Sequence, residues 1–245
     1  MRYRQKNRQI SYGEAIGILL IENYVPFIPG DVANASSYPF PVRFASLPGF
    51  TPARLFAHDT SFVDEAIAAG RTLVDAGVRA VTGDCGFLAL YQTQIAAELG
   101  IPVFLSSLLQ LDFMDRIISP GKRIGIITAN KASMDHSILS AVSSVSDSRL
   151  VIAGLEDKRH FVSAVFDEDG VLDSEIVEKE VLQAVSELEE RTGSTPLGAI
   201  LLECSLLPPY AAAVQEATGL PVFDYNTMIG YVYSTVVRNR FSGIM

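Results

Sequence analysis

The chain of 245 residues carries two cysteines, Cys85 and Cys204. Each stands at the same kind of junction. An apolar run leads into an acidic residue, the cysteine and a small residue, as in Ala80-Val81-Thr82-Gly83-Asp84-Cys85-Gly86 and Ile200-Leu201-Leu202-Glu203-Cys204-Ser205. A helical stretch follows each one. A thiol so placed lies at the carboxyl end of a strand, where open α/β sheets bind ligands. It also lies at a helix N-terminus, whose free N–H groups favour a thiolate and can hold an anion. Two such thiols facing one cleft suit a carbon acid. One removes the Cα proton and the other returns a proton to the opposite face, because a free thiol pKa of about 8.5 lies close to working pH. Donors around the carboxylate would hold the enolate-like charge that builds there.

The two junctions belong to a longer repeat. Ala80–Phe104 (AVTGDCGFLALYQTQIAAELGIPVF) lies over Ala199–Phe223 (AILLECSLLPPYAAAVQEATGLPVF) without a gap, at an offset of 119, with eight of 25 positions identical. The identities include Cys85/Cys204, Tyr91/Tyr210 and Gly100/Gly219, and Asp84 falls on Glu203. Ile16-Gly17-Ile18-Leu19 similarly echoes Ile124-Gly125-Ile126-Ile127 at an offset of 108. The first half therefore holds eleven more residues between its matched segments, and the Pro/Gly-rich stretch 25–52 is read as the loop that contains them.

Short apolar runs predict strands at Ala15–Ile21, Ala80–Thr82, Pro102–Leu105, Arg123–Thr128, Leu150–Ala153, Gly198–Leu202 and Pro221–Phe223. Such continuous runs suit parallel strands covered on both faces. Between them, apolar residues at three- and four-residue spacing predict helices over 59–76 and 174–192, the second closed by Gly193. Strand and helix alternate, which implies right-handed βαβ units. The expectation is an α/β protein of two similar lobes, each a mostly parallel sheet flanked by helices. A pseudo-twofold relates them, with the active site between. Residues 1–118 form the first lobe, of which 1–14 is a basic N-terminal arm. Residues 119–226 form the second lobe, and 227–245 a C-terminal helix packing back on the first.

Composition narrows the partners. Nineteen basic against 28 acidic residues give a net charge of −9, which repels phosphate backbones and argues against nucleic acid. Hydrophobic residues at 49% and charged ones at 19% exclude a disordered chain. No apolar run reaches the ~18–20 residues of a membrane-spanning helix. The basic start (Arg2, Arg4, Lys6, Arg8) before Ala15–Ile21 superficially resembles a leader, but Glu22-Asn23-Tyr24 follows where a small-residue cleavage site belongs. Two cysteines are too few for a disulfide framework, so a reducing cytoplasm is expected. No Cys-x-x-Cys, G-x-G-x-x-G or phosphate-loop motif occurs, so no metal or cofactor is expected.

One cysteine at the equivalent strand end of each of two lobes is the pattern of the aspartate/glutamate/hydantoin racemase superfamily, which the chain resembles from about Ala15 onward through IGIL, GDCGF, GKRIGIIT and LLECS. Pro26–Val42 (PFIPGDVANASSYPFPV) also resembles an uncharacterised aspartate/glutamate racemase family branch. The resemblance implies a cofactor-independent racemase or isomerase of a small carboxylic acid, such as an amino acid, with Cys85 and Cys204 as the acid/base pair. It implies that backbone amides at Gly86 and Ser205 bind the substrate carboxylate, and that strand ends at Ser106, Ser107 and Thr128 line the cleft. It also implies a homodimer or higher homo-oligomer. Where amino-acid racemases show Cys-Asn-Thr and Cys-Thr, this chain has Cys85-Gly86-Phe87 and Cys204-Ser205-Leu206. A maleate-isomerase-like or decarboxylase-like reaction, with one cysteine as nucleophile or proton donor, is therefore kept as an alternative. A bilobal binding protein for a small acid, with no chemistry, is another.

The remaining polar residues have plainer readings. Strand alternation turns Asp84 and Glu203 away from the cysteine side chains, as paired or capping carboxylates or as groups that orient the thiols. Asp31 and Asn34, in the loop after the first strand, are candidates for substrate contact, although turn chemistry explains Pro29-Gly30-Asp31 equally well. Tyr91 and Tyr210 read as packing. His58, His136 and His160 do not cluster and receive no catalytic role. The run 178–191 reads as a solvated helix face.

Overall fold

The computed structural model describes residues 2–5 and 9–245. Lys6 and Arg8 of the basic start lie outside the described residues.

The expected two-lobed α/β architecture is what the chain adopts. The first sheet has the order β2-β1-β3-β4, from β1 (Ile16–Ile21), β2 (Val42–Leu47), β3 (Ala80–Gly83) and β4 (Val103–Phe104). The second has the order β6-β5-β7-β8, from β5 (Arg123–Thr128), β6 (Leu150–Gly154), β7 (Leu197–Leu202) and β8 (Val222–Phe223). Every pairing is parallel, and the registers repeat: Ile16 faces Ala80 in one lobe and Ile124 faces Ala199 in the other. The central strands β3 and β7 are buried along their whole length, as continuous apolar strands covered on both faces must be.

The two lobes also solve helix packing in the same way. Gly17 in β1 leaves space for Leu73, whose Cδ1 would lie 2.9 Å from a Cβ added there, and Gly125 in β5 does the same for Leu188 at 3.0 Å. Each leucine comes from the helix that covers its sheet, Val63–Asp75 or Ser174–Thr192. The short helices after the cysteines, Gln92–Leu99 and Ala211–Thr218, both end on a left-handed glycine, Gly100 at φ +64° and Gly219 at φ +66°. A residue without a Cβ adopts that backbone at no steric cost.

Several sequence readings need correction. The stretch 25–52 is not one loop, because β2 pairs with β1 from Ile16/Val42 to Ile21/Leu47. Its sequence Val-Arg-Phe-Ala-Ser-Leu hid it, since an edge strand is only part-covered and lacks a continuous apolar run. The C-terminal helix runs over Tyr225–Val236 rather than 227–245, opened by a capping box between Asp224 and Thr227. Tyr225, Met228 and Ile229 pack with Ile16, Ile18, Ala80 and Phe104 of the first lobe, and Tyr225 Oη donates to the Leu105 carbonyl at 2.8 Å. Within the run read as a solvated face, Glu180 is buried and accepts from the backbone N–H groups of His160 and Phe161 at 2.9 and 2.8 Å. It thereby satisfies the open start of the helix Arg159–Val165. Among the described residues, no helix is long and apolar enough to cross a membrane.

Candidate active site

Cys85 follows β3 and Cys204 follows β7, each one residue beyond an acidic residue whose backbone N–H is tied to the opening strand of its own lobe. Asp84 N–H donates to the Leu19 carbonyl at 3.1 Å and Glu203 N–H to the Ile127 carbonyl at 2.8 Å. Both cysteines are free thiols, Cys204 buried and Cys85 half-buried. Each sulfur accepts from the backbone N–H two residues on, Phe87 for Cys85 and Leu206 for Cys204. The repeat in the sequence is thus a repeat in the site.

The lobes are locked together at these turns by reciprocal hydroxyls. Ser107 Oγ of the first lobe donates to the Glu203 carbonyl at 2.9 Å. Ser205 Oγ of the second donates to the Asp84 carbonyl. The arrangement brings both cysteines into one pocket, with Asp84, Gly86 and Phe87 from the first lobe and Glu203, Ser205 and Leu206 from the second. Asn23 and Phe27 from the loop after β1, Phe56 from the helix Pro52–Phe56 and Phe166 from the second lobe complete much of the wall. Phe56 meets Phe87 edge-on at 4.9 Å and Phe166 at 5.8 Å, so the rings close over the seam between lobes. About 30 Å³ is open to the centre of a water molecule, room for roughly two waters at ~10–15 Å³ each. A substrate of several heavy atoms enters only if these rings move.

Among the described residues, no lysine, arginine or histidine lines this pocket, and its electrostatics follow from that. Burial raises the carboxyls of Glu203 to about 7, Asp84 to about 8 and the neighbouring Asp31 to about 7. Removal from water favours the neutral form of an acid. Burial pushes both thiols up as well, with the Glu203 charge as the next cause for each. The expected helix N-terminus is not where the sequence put it: Cys85 opens a 3-10 turn, Gly86–Tyr91, and the helix after Cys204 begins only at Ala211. Desolvation and a nearby carboxylate both favour the neutral thiols.

The other expected site residues take different places. Gly86 and Ser205 lie on the pocket wall. Thr128 is buried behind it, its Oγ1 donating to Glu203 Oε2 at 2.7 Å. Ser106 is buried and accepts from Leu108 N–H as a helix cap. Asp31 is 2% exposed and accepts from Ala33 N–H at 2.9 Å, close enough for its charge to bear on Cys204. Asn34 is a turn residue, accepting from Ser36 N–H and donating to the Phe27 carbonyl at 2.9 Å. Two residues gain importance over the sequence reading. Glu203 and Asn23 both reach the pocket wall, and Glu203 Oε1 and Asn23 Oδ1 are buried with no hydrogen-bond partner among the described residues. The position of Asn23, two residues past the end of β1, is the signal that could have marked it.

Comparison with known proteins fits this geometry. No family model matches the chain. Dimethylsulfoniopropionate lyase 3 of Emiliania huxleyi is 32% identical over 239 residues, covering 94% of this chain and 62% of that protein. Dimethylsulfoniopropionate lyase 7 of the same organism is 30% identical over 240 residues, covering 94% and 69%. The chain thus spans about three fifths of the length of the first relative and somewhat more of the second. Among solved structures, allantoin racemase from Pseudomonas fluorescens superposes with a TM-score of 0.57 at 14% identity, over 94% of this chain and 99% of that one. The chain therefore has the fold of the aspartate/glutamate/hydantoin racemase superfamily and belongs to the dimethylsulfoniopropionate lyase family.

Proposed function

We propose that the protein is a cofactor-independent carbon-acid lyase that cleaves dimethylsulfoniopropionate or a close β-onium carboxylate by elimination. One observation carries the reading. Both cysteines share a pocket with Asp84, Glu203 and four phenylalanines and, among the described residues, with no cationic side chain. A substrate that carries its own positive charge suits such a wall. Aromatic faces attract onium cations, and a sulfonium near the sulfurs offsets the burial and acidic charge that keep them protonated.

The reaction needs one base. As the cation enters, one cysteine thiol releases its proton to solvent, and the thiolate so formed takes the proton from Cα. The electron pair of that C–H bond becomes the new Cα=Cβ bond, and the Cβ–S bond breaks with its pair going to sulfur. The products are neutral dimethyl sulfide, acrylate and a proton held as the thiol. The amides at Gly86 and Ser205, on the pocket wall, would hold the carboxylate while charge builds on it. The second cysteine of the pocket would serve as proton store, and in a racemase it would return the proton instead. The names of the relatives favour elimination over inversion, so the isomerase expected from the sequence gives way to a lyase in this proposal.

Proton NMR in D2O separates the outcomes. Vinyl signals of acrylate together with dimethyl sulfide are expected. Intact substrate that merely gains deuterium at C2 would indicate exchange of the racemase kind, and substrate unchanged at both carbons would overturn the carbon-acid reading.

A further inference from the structure

Glu203 is held more completely than a packing residue needs. Its N–H and carbonyl are fixed by Ile127 and Ser107, and Oε2 is fixed by the Thr128 hydroxyl at 2.7 Å. Oε1 is left buried and unpartnered on the pocket wall, in a residue only 1% exposed. The chain makes room for it, because a Cβ at position 86 would fall inside the Oε1 atom. That spot is beside the first backbone amide after Cys85, where the carboxylate of a substrate is expected. An ionised Glu203 there would repel such a substrate. A protonated one would present an O–H with no competing acceptor.

We propose that Glu203 works as a neutral carboxylic acid, donating a hydrogen bond from Oε1 to the substrate carboxylate and stabilising the charge that develops there as the α-proton leaves. The inference rests on the carbon-acid reading above and adds a catalytic residue to it. The proton stays on Glu203 throughout, so no bond to it forms or breaks. Burial supports the assignment by lifting its carboxyl to about 7, and a carboxyl kept neutral by its surroundings is a strong donor to an oxyanion. Burial is the larger influence on its carboxyl, and the Thr128 hydroxyl bond acts against it. Cys85 from the first lobe, Cys204 and Thr128 from the second and Tyr225 from the last helix bear on it, with Asp84 on the same pocket wall, and all are acids or neutral hydroxyls. None supplies the positive charge that would hold Glu203 ionised.

The test compares Glu203→Gln with Glu203→Ala. The glutamine amide can donate from the same place without titrating. Glu203→Gln should keep dimethyl sulfide release at pH 6.5 to within about tenfold of wild type, while Glu203→Ala falls about a hundredfold or more, as expected for a lost oxyanion donor. The alkaline fall of wild type near pH 7 should be absent in Glu203→Gln. A glutamine variant as inactive as the alanine variant, or one that keeps the fall near pH 7, would overturn the proposal. Acrylate binding by calorimetry gives a second readout that holds even if neither variant folds. Wild-type affinity should drop by up to about tenfold per pH unit above 7 as the donor ionises. Affinity that is flat from pH 6 to 9, or no acrylate binding at all, would overturn it. Acrylate binding with that pH dependence but without dimethyl sulfide release would fault the lyase reading and still support Glu203 as the carboxylate's donor.

Discussion

Gly86 and Glu203, from opposite lobes, occupy one space: the carboxyl of Glu203 fills the volume that any side chain at position 86 would need. The residue after the first cysteine is therefore glycine for a reason that lies 117 positions further along the chain.

That relationship gives the first expected outcome. Gly86→Ala displaces the Glu203 carboxyl from the wall, so dimethyl sulfide release should fall about a hundredfold, the cost of one oxyanion donor. The crowding should also lower stability by about 1–3 kcal/mol, a typical cost of overpacking. Headspace assay and thermal melting read the two effects. A variant with wild-type activity would show that Glu203 does not need its place.

The thiols should react slowly in the free protein. Burial and Glu203 hold both above their ordinary range, so iodoacetamide alkylation followed by mass spectrometry should stay slow at pH 8, where an unperturbed thiol of pKa about 8.5 reacts readily. Glu203→Gln removes the second cause and should speed alkylation at that pH. Rapid labelling of wild type below pH 7 would mean a resting thiolate.

Stability should decline from weakly acidic to alkaline pH. Asp31, Asp84 and Glu203 keep their protons in the folded chain to about 7, 8 and 7, whereas unfolded carboxyls release them near pH 4. Stability from this source is full below pH 4 and is lost as pH rises through the folded values. Each retained proton contributes a slope of up to about 1.4 kcal/mol per pH unit. The melting temperature should be lower at pH 8.5 than at 5.5, with a smaller difference in Glu203→Gln. Carboxyls held below the usual range, such as Asp59 at about 2, act only at lower pH. A melting temperature that rises over this interval would contradict the buried-acid account.

Gly17 and Gly125 should respond alike, because each admits the covering leucine of its lobe. Alanine at either position is expected to lower stability by about 1–3 kcal/mol, measured by chemical denaturation, with little change at the pocket. Unequal effects would separate the two lobes in packing despite their matching registers.

The architecture was largely legible because its cause is periodic. Parallel strands buried on both faces must read as apolar runs, and a duplicated unit leaves its mark in the Cys85/Cys204 and Gly100/Gly219 matches. β2 was hidden, since a half-covered edge strand such as 42–47 has no such pattern. In the site, Cys85 and Cys204 were visible from their junctions, while Gly86 and Ser205 entered through the family resemblance. Glu203 was not placed, because strand alternation turns it away from Cys204 and only the packing of the opposite lobe shows that this direction leads into the same pocket. Ser107, Thr128 and Asn34 were read as cleft residues, yet their polar groups bond to the Glu203 backbone, its carboxyl and a local turn. Strand-end position alone does not distinguish these roles.

The central claim is that two sulfurs in one pocket drive the loss of dimethyl sulfide from a β-sulfonium acid. The direct measurement is the rate of dimethyl sulfide release from dimethylsulfoniopropionate by wild type, Cys85→Ala and Cys204→Ala at saturating substrate. Wild type should turn over, and the variant lacking the base should lose about 100–10,000-fold, the worth of a positioned proton-transfer group. Release that survives in both variants, or is absent from a folded wild type, would contradict the account.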